Sequence, residues 1–423
     1  MALPHTLTTD FTEAVDNLIQ DATIPDRALH SRAQRYLEVF DGTNTVQVNR
    51  GPAWAERIHK ASPHRPPFTT PKLFHVMYQV ADELGLVAGR RYVSAAICVC
   101  GEHAARADGA AGPKERANLL AQALHQLSST WTAFLLWPFY AHGSEDRPRE
   151  RDALPEACGD ETPTAESIAR EQRRRWKEQV MARDDYRCFM SGGLDSRAYY
   201  RGRPVPAGAR VVFCHTVSII PAELWADDAS KDREFQSDQH LPPSEQDIML
   251  GVLKRFCAID DTALIEKAEG PPNMLFVNGA AESAFSQLLW CLHPTETPNR
   301  YEIKSYMSSL DAGCRHVTSH VTFVDHSGAG VGLPDRELLR THAALTGVLH
   351  RSGAADALGF LTCSLRRLFR GAGRSVYPAS RGGAFWRSVV EYEGPEVCLE
   401  VELWQAVEAL RHSTGAVASH AAQ

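Results

Sequence analysis

Apolar positions along the chain change period from block to block, and each change predicts an element. In Asp10–Ala22, residues Phe11, Ala14, Val15, Leu18 and Ile19 recur at helical spacing and predict an amphipathic helix. Lys114 to Phe139 predicts a long helix with Leu119, Leu120, Ala123, Leu124 and Leu127 on one side. It ends in WTAFLLWPF, too short to span a bilayer and suited to a core or a domain interface. Tyr92–Cys100 (YVSAAICVC) is apolar without a deciding period, and fits a strand or a buried helical turn equally. Ile248, Met249, Val252, Leu253, Phe256 and Cys257 predict an amphipathic helix within Glu245–Ala268. After Tyr306 the helical pattern returns, and Pro334, just ahead of ELLRTHAALTGVLH, suits a first helical turn.

Between these blocks lie polar stretches. Glycine, proline and acidic residues dominate His142–Thr164, which predicts a linker. Ala226–Pro243 reads as a surface insertion, and the small-residue tail from Ser413 as disordered. Two basic runs stand out: Arg173, Arg174, Arg175 and Lys177 on a helix predicted over Ala165–Ala182, and SLRRLFRGAGR over Ser364–Arg374 with Arg366 and Arg367. Each reads either as a solvated helix face or as a phosphate-contacting surface.

Bulk numbers narrow the class. The length, 423 residues, predicts two or three domains. Hydrophobic residues at 43% can build cores, and the net charge of −7 means that nucleic-acid contact would come from a local patch. The ten cysteines include no Cys-x-x-Cys pair, so neither a zinc knuckle nor a thioredoxin-like site is signalled. The opening MALPHTLTTDFTEAVD carries no apolar run after a basic start, which predicts no secretory signal. With no run of about 18 apolar residues, the expectation is an intracellular protein (cytoplasm or nucleus) with free thiols and no membrane partner.

Three ordered pieces carry the functional signal: Arg183-Asp-Asp-Tyr-Arg-Cys-Phe-Met-Ser-Gly192, then Cys214-His215 leading to Val217-Ser-Ile-Ile-Pro221, then Asn273-Met-Leu-Phe-Val-Asn-Gly-Ala-Ala-Glu282 running on to LLWCLHP. Together they resemble the HNH-type nuclease domain of fungal proteins. In that family an RD-x-Y-x-C opening leads into a hairpin closed by Ala-His-Ile-Ile-Pro, with an Asn and then a His nine residues later. The resemblance extends to Leu119–Phe139 and to Thr322–Ala355, most of the chain. It implies an α+β fold: a central ββα-metal (HNH-like) hairpin-helix module at 165–310, a helical N-terminal region at 1–141, a linker at 142–164, a helical C-terminal region at 311–412 and a tail at 413–423.

The chemistry implied is metal-dependent phosphodiester hydrolysis. A divalent ion stabilises the leaving oxygen and a neutral histidine activates water. Two signature positions depart. Ser218 stands where the general-base histidine belongs, and a serine alone accepts no proton usefully near neutral pH. Glu282 stands where the metal-binding histidine belongs; an oxygen ligand suits Mg²⁺ or Mn²⁺, so divalent metal binding is either kept or lost. Asn273 keeps its position, and reads also as a turn residue after Pro271-Pro272. His215, an odd step from Ser218, points to the opposite strand face and replaces the base only if the strand bulges. His316, His320 and His326 read as polar positions of a strand, Asp184 and Asp185 as structural, Ser191–Gly193 as a turn, and His293-Pro294 as a strand end.

The leading expectation is therefore a pseudonuclease, a repurposed scaffold with a degenerate site. The alternatives are an active endonuclease rebuilt around Glu282, Asn273 and His215, with nucleic acid as partner, and an enzyme acting on a small-molecule ligand in a repurposed pocket.

Overall fold

The computed structural model describes residues 9–41, 48–106, 112–144, 165–205, 207–221, 224, 245–306 and 319–369. The expected linker beyond residue 144, the Ala226–Pro243 insertion, His316 and the C-terminal tail lie outside the described residues. The fold is α+β, with helices dominating and small sheets.

Among the described residues the first helices are α1 (Thr9–Gln20), α2 (Asp26–Leu37), α3 (Ala53–Ala61), α4 (Thr70–Glu83), α5 (Val87–Arg106), α6 (Pro113–Trp131) and α7 (Trp137–Ser144). Then follow α8 (Ala165–Arg183), β1 (Leu194–Asp195), α9 (Ser196–Tyr200), β2 (Val211–Val212), β3 (Cys214–Ser218), α10 (Glu245–Cys257), α11 (Asp261–Ala268), β4 (Met274–Asn278) and α12 (Gly279–Ser286). The chain continues with β5 (Trp290–Pro294), β6 (Arg300–Ser305), β7 (His320–Thr322), α13 (Arg336–Arg351) and α14 (Ala354–Phe369).

Two compact units result, and neither is continuous in sequence. One comprises Met1–Pro138, Asp227–Ala258 and Gly347–Gln423; the other comprises Phe139–Ala226 and Ile259–Thr346. The linear division expected from the resemblance therefore differs from the observed grouping, which takes α10 and α14 into the N-terminal unit.

In the first unit α5 is the central helix, packed by α1, α2, α4, α6 and α10. Every residue from Tyr92 to Cys100 is buried. A helix surrounded by other helices is apolar all round, and that is why Tyr92–Cys100 has no readable period. A Cβ on Gly89 would collide with the Phe256 carbonyl, so glycine permits the close approach of α5 to α10. Arg91 donates to the carbonyls of Leu18, Ile19, Asp21 and Ile24 and pairs with Asp26, satisfying carbonyls left open at the end of α1. The single helix expected over Lys114–Phe139 is interrupted: a π-helical turn at Thr132–Leu136 separates α6 from α7, with Thr132 Oγ1 bonded back to the Ser128 carbonyl at 2.8 Å.

In the second unit β3 pairs antiparallel with β4, and β5, β6 and β7 form an antiparallel sheet. Its core gathers Phe276, Phe285, Trp290, Cys291, Leu292 and Tyr301. His342 stacks on Phe285 with ring centroids 3.9 Å apart. Pro334 does not open the first helical turn as expected. Asp335 caps α13, its Oδ1 accepting from the amides of Glu337 (2.8 Å) and Leu338 (3.1 Å), because a carboxylate satisfies the open donors that proline cannot.

Candidate functional site

The three sequence pieces converge in the second unit as a strand pair followed by a helix. Cys214 lies opposite Asn278, Thr216 opposite Phe276 and Ser218 opposite Met274. The partner of β3 is thus β4, far along the chain, rather than a neighbouring strand closing a local hairpin. The pair is packed by both α8 and α12, consistent with four of the five β4 residues being buried.

Asn273 is buried and its amide is committed to the backbone. Oδ1 accepts from the Ile220 amide at 2.9 Å, while Nδ2 donates to the carbonyls of Ile220 and Ala268, each at 2.7 Å. The Ile219 amide adds a bond to the Asn273 carbonyl at 2.8 Å. This side chain fixes the Ile219–Ile220 segment leaving β3 against the end of α11 and the start of β4. It is no helix N-cap: the residue ends a 3-10 turn, Pro271–Asn273, and its Nδ2 satisfies the last carbonyl of α11.

Ser218 is half-buried at the end of β3, on the face shared with Cys214 and Thr216. Its hydroxyl makes no hydrogen bond among the described residues. His215 sits on the opposite face with Val217, and its register with Val277 is regular. No bulge brings it to the Ser218 side. Glu282 lies in the first turn of α12, half-exposed, beside the buried Ala281 and Phe285. Its carboxylate has no side-chain partner among the described residues, and no group of three His, Cys, Asp or Glu able to hold a metal ion occurs among them. His320 is exposed in β7, with its ring against the Ser319 hydroxyl.

The opening of the motif builds the frame. Arg183 is fully buried at the end of α8. All five of its donors are used: Nε and Nη2 to the two oxygens of Asp184 (2.8 and 2.9 Å), Nη1 to the carbonyls of Pro271 and Gly332 (3.0 Å each), and Nη2 to that of Met274 (3.0 Å). Burial raises the Asp184 carboxyl above its ordinary range, and the Arg183 guanidinium opposes that shift. Asp185 and Tyr186 follow with positive φ of 49° and 58°, a conformation that costs free energy for a bulky side chain. The surroundings hold it: Arg187 and Arg203 pair with Asp185, and the Arg203 guanidinium sits 4.4 Å over the Tyr186 ring.

Asp195 was missed altogether. It is buried, caps α9 by accepting from the Arg197 amide, pairs with the Arg197 guanidinium at 3.0 Å and accepts from the Cys214 amide at 3.0 Å. The signal available was local, an Asp-Ser ahead of a short helical run. Asn278 caps α12 through the amides of Ala280 and Ala281 and donates to Cys188 Sγ. Burial pushes the Cys214 thiol up, with Cys188 and Asp195 adding to the shift, so it is an inert thiol at neutral pH.

The first basic run is largely a solvated helix face. Arg174 pairs with Glu171 and Glu178, and Arg175 with Glu171. The two arginines hold the Glu171 carboxyl down to about 2. Arg366 and Arg367 fall in α14, but their side chains lie outside the described residues. Among the described residues no helix is long and apolar enough to cross a membrane. A hollow bordered by Ile58, His59, Arg65, Phe68 and Asp356 lies in the first unit. Compared with protein-family models, with curated proteins and with solved structures, the chain matches none of them.

Proposed function

We propose that β3, β4 and α12 are a ββα module of the HNH type whose hydrolytic chemistry has been given up, leaving a scaffold. The observation that carries this reading is the amide of Asn273. It stands at the motif position, at the start of the second strand, and binds both the N–H and the C=O of Ile220 in the segment that follows the first strand. Strand, strand and helix follow in the order that such a module needs. The pseudonuclease side of the reading rests on Ser218, which offers no base, and on His215, which faces away from it.

Glu282 is the residue that would meet a divalent ion here. It stands in the first turn of α12, where an oxygen ligand suits Mg²⁺ or Mn²⁺. A metal held there would polarise a phosphodiester oxygen.

The test restores the signature. Purified wild type and the double variant Ser218→His/Glu282→His are incubated with plasmid and single-stranded DNA in Mg²⁺, Mn²⁺, Ni²⁺ or Zn²⁺, and metal binding is followed by calorimetry. The expected result is no cleavage by wild type, and metal binding with nicking by the double variant. Neither binding nor nicking by a folded double variant overturns the ββα reading. Cleavage by wild type that Glu282→Ala abolishes overturns the pseudonuclease and establishes the rebuilt endonuclease.

A further inference from the structure

β3 pairs with β4 on one side only, and the register fixes which of its backbone groups turn to the other side. In an antiparallel pair every second residue bonds across, and the residues between turn their N–H and C=O away. The Gly279 amide bonds to the Phe213 carbonyl at 3.1 Å, and the Ile219 amide to the Asn273 carbonyl at 2.8 Å. Phe213, His215, Val217 and Ile219 therefore bond toward β4, while Cys214, Thr216 and Ser218 turn outward.

This outer edge is closed at both ends and open in the middle. The Cys214 amide donates to Asp195 Oδ2 at 3.0 Å and its carbonyl accepts from Arg197 Nη2 at 2.8 Å, so two side chains take the place of a neighbouring strand. At Ile220 the Asn273 side chain binds both the N–H and the C=O. Between them, the outward N–H and C=O groups of Thr216 and Ser218 have no partner among the described residues, and neither do their hydroxyls. Both residues are half-buried. Open edges are commonly kept from pairing by charged side chains or proline, and the sequence from Cys214 to Ile220 has no Lys, Arg, Asp, Glu or Pro.

The open groups match a second set of themselves. If another β3 runs antiparallel about a two-fold axis at Val217, Thr216 of each copy meets Ser218 of the other, and Cys214 meets Ile220. Open residues then pair with open residues, and closed ones fall opposite closed ones. An axis at Thr216 would set Ser218 against the closed Cys214, and an axis at Ser218 would set Thr216 against the closed Ile220. The register about Val217 uses all the open N–H and C=O groups, because each Thr216–Ser218 pair exchanges both of its bonds. It also sets a threonine hydroxyl beside a serine hydroxyl, a favourable cross-strand pair, and brings no charged side chains of the two strands together. A peptide from another protein could bond to the same edge, but only a second copy accounts for an opening whose two closed ends mirror each other.

We infer that the outer edge of β3 is a self-association surface, to which a second copy of this chain adds its own β3, antiparallel, about Val217. The inference rests on the ladder register and not on the ββα reading, so either can fail without the other.

The test is hydrogen exchange of the full chain, resolved to single amides, in dilute and in concentrated solution, with sedimentation giving the mass. Concentration is expected to convert monomer into dimer and to slow exchange at Thr216 and Ser218 by about tenfold or more. The amides of Cys214, His215 and Val217, bonded within one chain, are expected to change little. Thr216→Pro deletes an outward N–H in both copies, at an edge position where proline is tolerated, and should weaken the dimer about thirtyfold, two hydrogen bonds being lost at once. Thr216→Val keeps the amide and should still dimerise. Unchanged protection at His215 and Val217 checks that each variant keeps the β3–β4 pair. A chain that stays monomeric in concentrated solution overturns the inference. So does a dimer in which Thr216 and Ser218 exchange as fast as in the monomer, or one that a folded Thr216→Pro variant forms as readily as wild type. Protection of both amides that is equal at all concentrations overturns it as well, because the edge would then be closed within one chain.

Discussion

Replacing Arg183 by methionine should loosen the frame that positions Asn273 more than any exposed substitution in the same unit. The guanidinium is fully buried and makes five bonds, two to Asp184 and three to backbone carbonyls of Pro271, Met274 and Gly332. Removing one partner of a buried ion pair costs about 3–5 kcal/mol, because the other charge is left unmatched. Each carbonyl left without a donor adds roughly 1–3 kcal/mol before relaxation. Relaxation and water reaching the carbonyls offset much of the second contribution, so a cost of about 5 kcal/mol is expected, comparable with the whole stability of a marginal domain. Arg183→Lys keeps the charge but loses the planar fork, and should fall between, at about 2–3 kcal/mol. Arg183→Met/Asp184→Leu should recover part of the loss of Arg183→Met, since no carboxylate is then stranded. Two units make a single global unfolding free energy ill-defined, so the assay is native-state hydrogen exchange read at the amides of Ile219, Ile220 and β4. If Arg183→Met changes their protection by less than about 1 kcal/mol, against the roughly 5 kcal/mol expected, the clamp is not what holds this segment.

Asn273→Ala removes three amide hydrogen bonds and should cost about 2–3 kcal/mol, with exchange at Ile220 accelerated. Asn273→Asp should cost at least as much, because it turns an oxygen toward two carbonyls. Acid should destabilise both units. Burial holds His342 in the second down to about 3 and His125 in the first down to about 4, so both stay neutral when folded and take up a proton on unfolding near the ordinary pKa of about 6.5. Stability then falls as pH drops below that value, by about 2 kcal/mol per histidine at pH 5; urea midpoints at pH 7 and pH 5 measure it, and His342→Phe should remove the share of the second unit. Gly89→Ala should destabilise the first unit by more than about 1 kcal/mol, reversing the usual helical gain, because the new methyl meets the Phe256 carbonyl; thermal melting reads the sign.

Elements that face water on one side were legible in sequence. The helix of Asp10–Ala22 appears as α1, and the Ile248–Cys257 pattern as α10, since a period of 3.6 shows only when one face is polar. Tyr92–Cys100 was not legible, because α5 is enclosed by other helices and has no polar face to mark a period. The pairing of β3 with β4 was hidden for a different reason. Their contact crosses α10 and α11, and a strand carries no local record of a partner that far along the chain. The opposite facing of His215 and Ser218 followed from strand alternation alone, and the regular register bears it out. Arg183 opens the motif in sequence, but its clamp was not legible there, because that role is set by carbonyls of two distant segments, Pro271–Met274 and Gly332, which no spacing rule brings together.

The motif positions divide by the bonds that they make, and on the proposed reading this division explains how a frame can outlast its chemistry. Arg183 and Asn273 are saturated by contacts inside the fold, so the unit needs them whatever reaction it does or does not perform. Ser218 and Glu282 make no side-chain hydrogen bond among the described residues and are only partly buried. Changing either should alter what the surface can bind without disturbing its support. Ser218→His/Glu282→His is therefore expected to shift stability by no more than about 0.5 kcal/mol, the range of ordinary surface substitutions, while Asn273→Ala costs several times that. Hydrogen exchange of the two variants side by side decides the matter. A double variant as damaging as Asn273→Ala would mean that serine and glutamate are themselves structural, and that the chemical positions of this module cannot be separated from its frame.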